Sequence, residues 1–201
     1  MGDLKITYLP KPLKKGDTIG LICPSGGFLD YKPIKLVTKY LQNLGYKVKL
    51  GKSLTSSTKA YKYLSGTDKN RLNDLNKMWL DDSIHAIFCM RGGYGALRIL
   101  PMIDHSIFKR RKKILIGYSD ITALLLSIYS KTKLVTFHGP MLGIKTLSDK
   151  CLPKNKKSIN SIWHILNNKD FSFSYSFKKT GAVIYSGKAT GPIIGGNLSV
   201  I

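Results

Sequence analysis

The chain has 201 residues, and its 43% hydrophobic content excludes a composition-driven disordered chain. No apolar run reaches the roughly eighteen residues that a membrane helix needs. The net charge of +22 raises nucleic-acid binding, but only five of the 33 basic residues are Arg and the lysines are spread along the whole sequence, which argues against nucleic acid as the main partner.

At the N-terminus, Lys5, Pro10 and Lys11 interrupt Leu4, Ile6 and Leu9, so no signal-peptide core is present and a cytoplasmic chain is expected. The apolar run Asp17–Cys23 predicts a buried strand that ends in the turn Pro24-Ser25-Gly26-Gly27. Pro33–Leu44 has helical spacing, with Ile34, Val37, Leu41 and Leu44 on one face, and Tyr46–Leu50 reads as a second strand. Asp68–Leu80 predicts a helix with Asp68 as N-cap. Ile84–Met90 is a third strand, Tyr94–Ile103 a short helix and Lys113–Gly117 a fourth strand. A helix over Asp120–Tyr129 and a fifth strand over Leu134–Phe137 follow.

Continuous apolar strands alternating with helices predict an α/β fold, a parallel sheet flanked by helices, over residues 1–144. Residues 145–180 hold eight lysines and little periodicity, and read as a connector with one helix around Ile159–Leu166. Residues 181–201 return to apolar, Gly-rich character and read as the start of a second domain, of which only the opening is present.

Four stretches carry candidate chemistry. In Ile114-Leu115-Ile116-Gly117-Tyr118-Ser119-Asp120, a strand runs into a helix through a tight turn holding Ser119. That is the setting of a nucleophile elbow, which exposes a hydroxyl above the sheet and aims the next backbone N–H at a developing oxyanion. The second Gly of the usual G-x-S-x-G pattern is replaced by Ile121, and an ordinary helix cap is the competing reading. Arg91-Gly92-Gly93-Tyr94-Gly95 follows the third strand and offers backbone donors, or a plain strand–helix turn. Arg98 stands where a dinucleotide fingerprint needs Gly, so no nucleotide cofactor is expected. Phe137-His138-Gly139-Pro140-Met141 puts His138 on the same rim as Ser119, as a structural hydrogen-bonder, a substrate contact or a local base. Gly191-Pro192-Ile193-Ile194-Gly195-Gly196-Asn197-Leu198 by itself reads as a turn and helix start. Cys23, Cys89 and Cys151 lie far apart, the first two in apolar runs as core thiols, and neither they nor the four histidines show metal-ligand spacing.

In this order, with the opening Gly16-Asp17-Thr18-Ile19 and Pro24-Ser25, the motifs resemble the L,D-carboxypeptidase family of serine peptidases, which includes murein tetrapeptide carboxypeptidases and microcin-immunity peptidases. The resemblance implies a two-domain α/β protein, usually a homodimer, that uses no metal. It implies Ser119 as nucleophile and the backbone N–H groups of Asp120 and Gly93 as oxyanion hole. Gly92, Tyr94 and His138 become expected substrate contacts, and the implied substrate is a small peptide ending in a D-amino acid, as in cell-wall recycling. The family's triad is completed by a Glu and a His that follow the Gly-Gly-Asn-Leu motif. Here all eleven acidic residues are Asp and every His precedes that motif. A truncated chain with no or impaired activity is therefore expected. A non-catalytic peptide-binding module, a decayed relic and a Lys-driven nucleic-acid binder are the alternatives.

Overall fold

The computed structural model describes residues 7–55, 63–143, 156–169, 185–188, 190 and 194–201. Five strands form one sheet in the order β2-β1-β3-β4-β5. They are β1 (Thr18–Ile22), β2 (Lys47–Leu50), β3 (Ile84–Cys89), β4 (Ile114–Gly117) and β5 (Phe137–His138), and every pairing is parallel. The connections lie in α1 (Lys32–Asn43), α2 (Asp68–Leu80), α3 (Ala96–Ile99), α4 (Ser106–Arg110) and α5 (Thr122–Thr132), and α6 (Lys156–Asn167) follows.

Both sheet faces are covered, which is why the strands read as continuous apolar runs. Ile19, Leu21, Phe88 and Ile116 point toward α1 and α6, while Ile22, Ile87, Cys89 and Leu115 point toward α2, α4 and α5. Trp79 of α2 is fully buried against the Phe108 ring, with centroids 4.5 Å apart. On the other face, Trp163 of α6 stacks on Tyr46 with centroids 5.3 Å apart and donates to the Tyr40 hydroxyl at 2.9 Å. The Lys-rich stretch thus contributes a helix to the core, because Ile159, Ile162 and Leu166 recur on its buried face.

Several element boundaries differ from the sequence expectation. Thr67, not Asp68, caps α2: its side chain accepts from the Asn70 amide at 3.1 Å, which leaves the Asp68 carboxylate free to pair with arginines. The Tyr94–Ile103 helix shrinks to the single turn of α3 followed by a 3-10 turn over Leu100–Met102, since Gly95 has φ 132° and Pro101 removes a backbone donor. Ser119–Ile121 forms a 3-10 turn before α5 starts at Thr122, so the expected helix begins later. The last strand is Phe137–His138, whereas Leu134 forms an isolated bridge to Tyr8.

The chain order reverses direction across the sheet between β1 and β3, where open α/β sheets bind ligands beyond the strand C-termini. The turns after β1, β3 and β4 meet at that end.

Candidate active site

The elbow after β4 is built on backbone strain. Ser119 has φ 60°, one of two non-glycine residues with positive φ among the described residues. That conformation is costly for an L-residue with a side chain and is found where a site holds it in place. Gly117 makes the turn possible, because a Cβ there would sit 2.7 Å from Ile121 Cγ2 and 3.1 Å from Cys89 Cβ. Ser119 itself is half-buried, and its hydroxyl makes no hydrogen bond among the described residues.

The loop after β3 lies directly against this elbow. A Cβ on Gly92 would be 3.0 Å from Ser119 Cβ and 3.4 Å from the Asp120 backbone nitrogen. Gly92 is buried, while Gly93 (φ 106°) and Tyr94 are exposed beside it, and the Tyr63 hydroxyl packs onto Gly93. The structure therefore brings Gly92, Ser119 and the Asp120 amide together, with Gly93 and Tyr94 next along the loop.

Two buried charged groups hold these turns in place. The Asp120 carboxylate, 5% exposed, accepts from Ser25 Oγ at 2.6 Å and from the Ala96 amide at 2.8 Å. One side chain thereby ties the turns after β1, β3 and β4. Arg71, fully buried on α2, donates to the carbonyls of Pro24 and Gly95 and to Asp68. Asp68 also takes a paired contact from Arg98, and that hydrogen bond is the main reason its carboxyl is held below the usual range. Sequence reasoning assigned only a backbone role to Asp120 and none to Arg71. The available signal was an Arg among the apolar residues Leu72, Leu75, Met78 and Trp79 of a helix, where a buried charge demands partners.

His138 lies on β5, the strand next to β4, paired in register with Gly117 two residues before Ser119. It is exposed and meets the Tyr118 ring edge-on, with centroids 6.4 Å apart, and no hydrogen bond links it to Ser119 among the described residues. Desolvation by its surroundings holds its imidazole below the usual value. A cavity of about 510 Å³ between α5 and β5 is lined by Leu125, Tyr129, Val135, His138 and Gly196. The two described thiols, Cys23 and Cys89, are buried; burial pushes Cys23 up to about 12, which leaves it without nucleophilic thiolate at neutral pH.

The fourth motif also reaches the elbow. The Asn197 amide donates to Thr122 Oγ1 at 3.1 Å, and Gly196 packs onto the Thr122 methyl so closely that a Cβ there would overlap it.

Fold and site together define a parallel α/β protein that presents a serine on a strained strand-to-helix elbow, framed by a glycine-rich loop. Comparison with known proteins makes this more specific. The LD-carboxypeptidase N-terminal domain matches residues 19–139, and the chain belongs to that family. It is 39% identical over 200 residues to the probable murein peptide carboxypeptidase of Bacillus subtilis strain 168, covering 100% of this chain and 60% of that protein. Among solved structures it resembles the microcin C7 self-immunity protein MccF in its apo state, with TM-score 0.74, 30% identity, and coverage of 86% of this chain and 51% of the other. MccF in complex with aspartyl sulfamoyl adenosine matches with TM-score 0.74 and 32% identity over the same shares. The chain thus spans between half and two thirds of the length of these relatives. Among the described residues, no helix is long and apolar enough to cross a membrane.

Proposed function

We propose that this chain is the nucleophile-bearing half of a serine carboxypeptidase that cleaves the amide bond to a C-terminal D-amino acid in a murein-type peptide. The carrying observation is Ser119 at φ 60°, with Gly92 and the Asp120 amide packed against it. In this reading Ser119 Oγ attacks the amide carbonyl carbon and forms an ester, while the leaving amine takes up a proton. Water then hydrolyses the ester and releases the shortened peptide. The amides of Asp120 and Gly93 receive the oxyanion, and the loop Gly92–Tyr94 with His138 borders the substrate. The murein substrate follows the name of the Bacillus relative, and the aminoacyl ligand held by MccF fits a small peptide-like substrate.

Activation of the hydroxyl is the missing element. A serine is a weak nucleophile until a neighbouring base takes its proton. Residues 1–201 contain no Glu, and His138 contacts Tyr118 instead of Ser119. The Glu implied by the family resemblance is absent from residues 1–201, and none of the four His follows the Gly195-Gly196-Asn197-Leu198 motif. Oxyanion stabilisation and binding alone leave only a small residual rate. The same observation favours a second reading, in which residues 1–201 bind a peptide without turning it over.

The test is release of terminal D-Ala from a murein tetrapeptide by residues 1–201, beside an intact relative. Negligible release with measurable tetrapeptide binding fits the proposal. Release at a rate near that of the intact relative contradicts the activation requirement.

A further inference from the structure

We infer that Thr122 is a positioning residue that latches the Gly195-Gly196-Asn197 segment onto the helix carrying the Ser119 elbow. Thr122 is the first residue of α5, three positions after Ser119, and it is fully buried. Each part of its side chain has a separate task. The hydroxyl accepts the Asn197 amide at 3.1 Å, and the methyl fills the space over Gly196. Only glycine fits at 196, because any Cβ would overlap that methyl. Gly196 itself lacks the positive φ that would otherwise explain a glycine, so close approach is the reason for it. Beyond this contact the chain forms a turn, with the Val200 and Ile201 amides donating to the Asn197 carbonyl at 2.9 and 3.2 Å. Val200 is partly buried against the core cluster to which Leu124, Leu125 and Ile128 of α5 belong.

The latch gives the segment a fixed register against Ser119. It rests on the proposed role of Ser119 for its purpose, since the groups that activate the serine are expected after this segment. A segment free to slide would leave those groups at no defined distance from the hydroxyl, and misplacement of that kind is expensive in rate.

Hydrogen exchange of the full chain tests the latch without any catalysis. The Asn197 amide is expected to exchange more slowly than an unprotected amide. In Thr122→Val, which keeps the methyl and removes the acceptor, it should exchange about tenfold faster, the ratio for one hydrogen bond of ordinary net strength. Thr122→Ser should restore protection, and the Ile116 amide in β4 should not change in either variant. An unprotected Asn197 amide in the unaltered chain, or one insensitive to Thr122→Val, overturns the inference. Should Thr122→Val unfold the protein, a second pair decides. Gly196→Ala should release the segment, and adding Thr122→Ser, which removes the methyl, should recapture it; no recapture overturns the inference. A failed latch leaves the role of Ser119 standing, and a Ser119 that never reacts leaves the latch standing.

Discussion

Ser25 donates its hydroxyl to Asp120 Oδ2 at 2.6 Å, and the Ala96 amide donates to the same oxygen at 2.8 Å. Three turns of the sheet's C-terminal end are thereby held on one buried carboxylate, next to the strained serine. Removing that carboxylate strands a buried hydroxyl and a buried amide. Asp120→Ala should destabilise the fold by about 1–3 kcal/mol. Asp120→Asn, which can still accept from Ala96, should cost less. Urea denaturation midpoints of the two variants measure the difference, and equal costs would contradict the bracing role.

The strain at Ser119 has a measurable sign. Left-handed backbone costs an L-residue about 1–2 kcal/mol that glycine avoids, against a smaller entropic loss for glycine. Ser119→Gly should therefore raise stability by up to about 1 kcal/mol, while Ser119→Ala should not. A Ser119→Gly chain that melts below the unaltered one would argue against strain at the elbow.

Much of this frame was legible in the sequence. The five strands and the helices α1, α2, α5 and α6 follow from apolar periodicity, because each buries a continuous face. The Ser119 elbow follows from a strand running into a helix across Gly117-Tyr118-Ser119. Less visible were the contacts that join distant turns. Nothing local marks Asp120 as the partner of Ser25 and Ala96, or Thr122 as the partner of Asn197, 75 residues away. Thr67 took the cap assigned to Asp68 because Arg71 and Arg98, one of them buried, compete for the carboxylate. The α4 helix was missed because five residues are too few for a periodic pattern.

Arg71 is the second brace. It is fully buried and serves two loop carbonyls and Asp68. Arg71→Leu should destabilise by about 3 kcal/mol, since it leaves those carbonyls and part of a carboxylate without donors. Calorimetric melting should show that loss, together with faster exchange at the Gly95 and Ala96 amides. A loss below that of a typical surface substitution would contradict the assignment.

Lys113 predicts a pH dependence. The residue is 6% exposed, its ammonium donates to the carbonyls of Met78 and Asp81, and burial lowers its pKa from 10.5 to about 8. Between pH 8 and 10.5 the unfolded chain binds more protons at this residue than the folded chain, so its contribution to stability rises with pH across that window. Below pH 8 both states are protonated and the burial penalty is fully present. The native chain should therefore gain stability relative to Lys113→Met between pH 8 and 10. Parallel urea curves for the two proteins would show no proton release at Lys113.

The central proposal is that Ser119 is the nucleophile, held in place but not activated within residues 1–201. Prolonged exposure of the chain to a fluorophosphonate, followed by mass-spectrometric mapping, addresses it directly. The account predicts a slow adduct on Ser119 alone, absent in Ser119→Ala. An adduct on another residue, or none on Ser119 after reagent and time that modify an intact relative completely many times over, would contradict it.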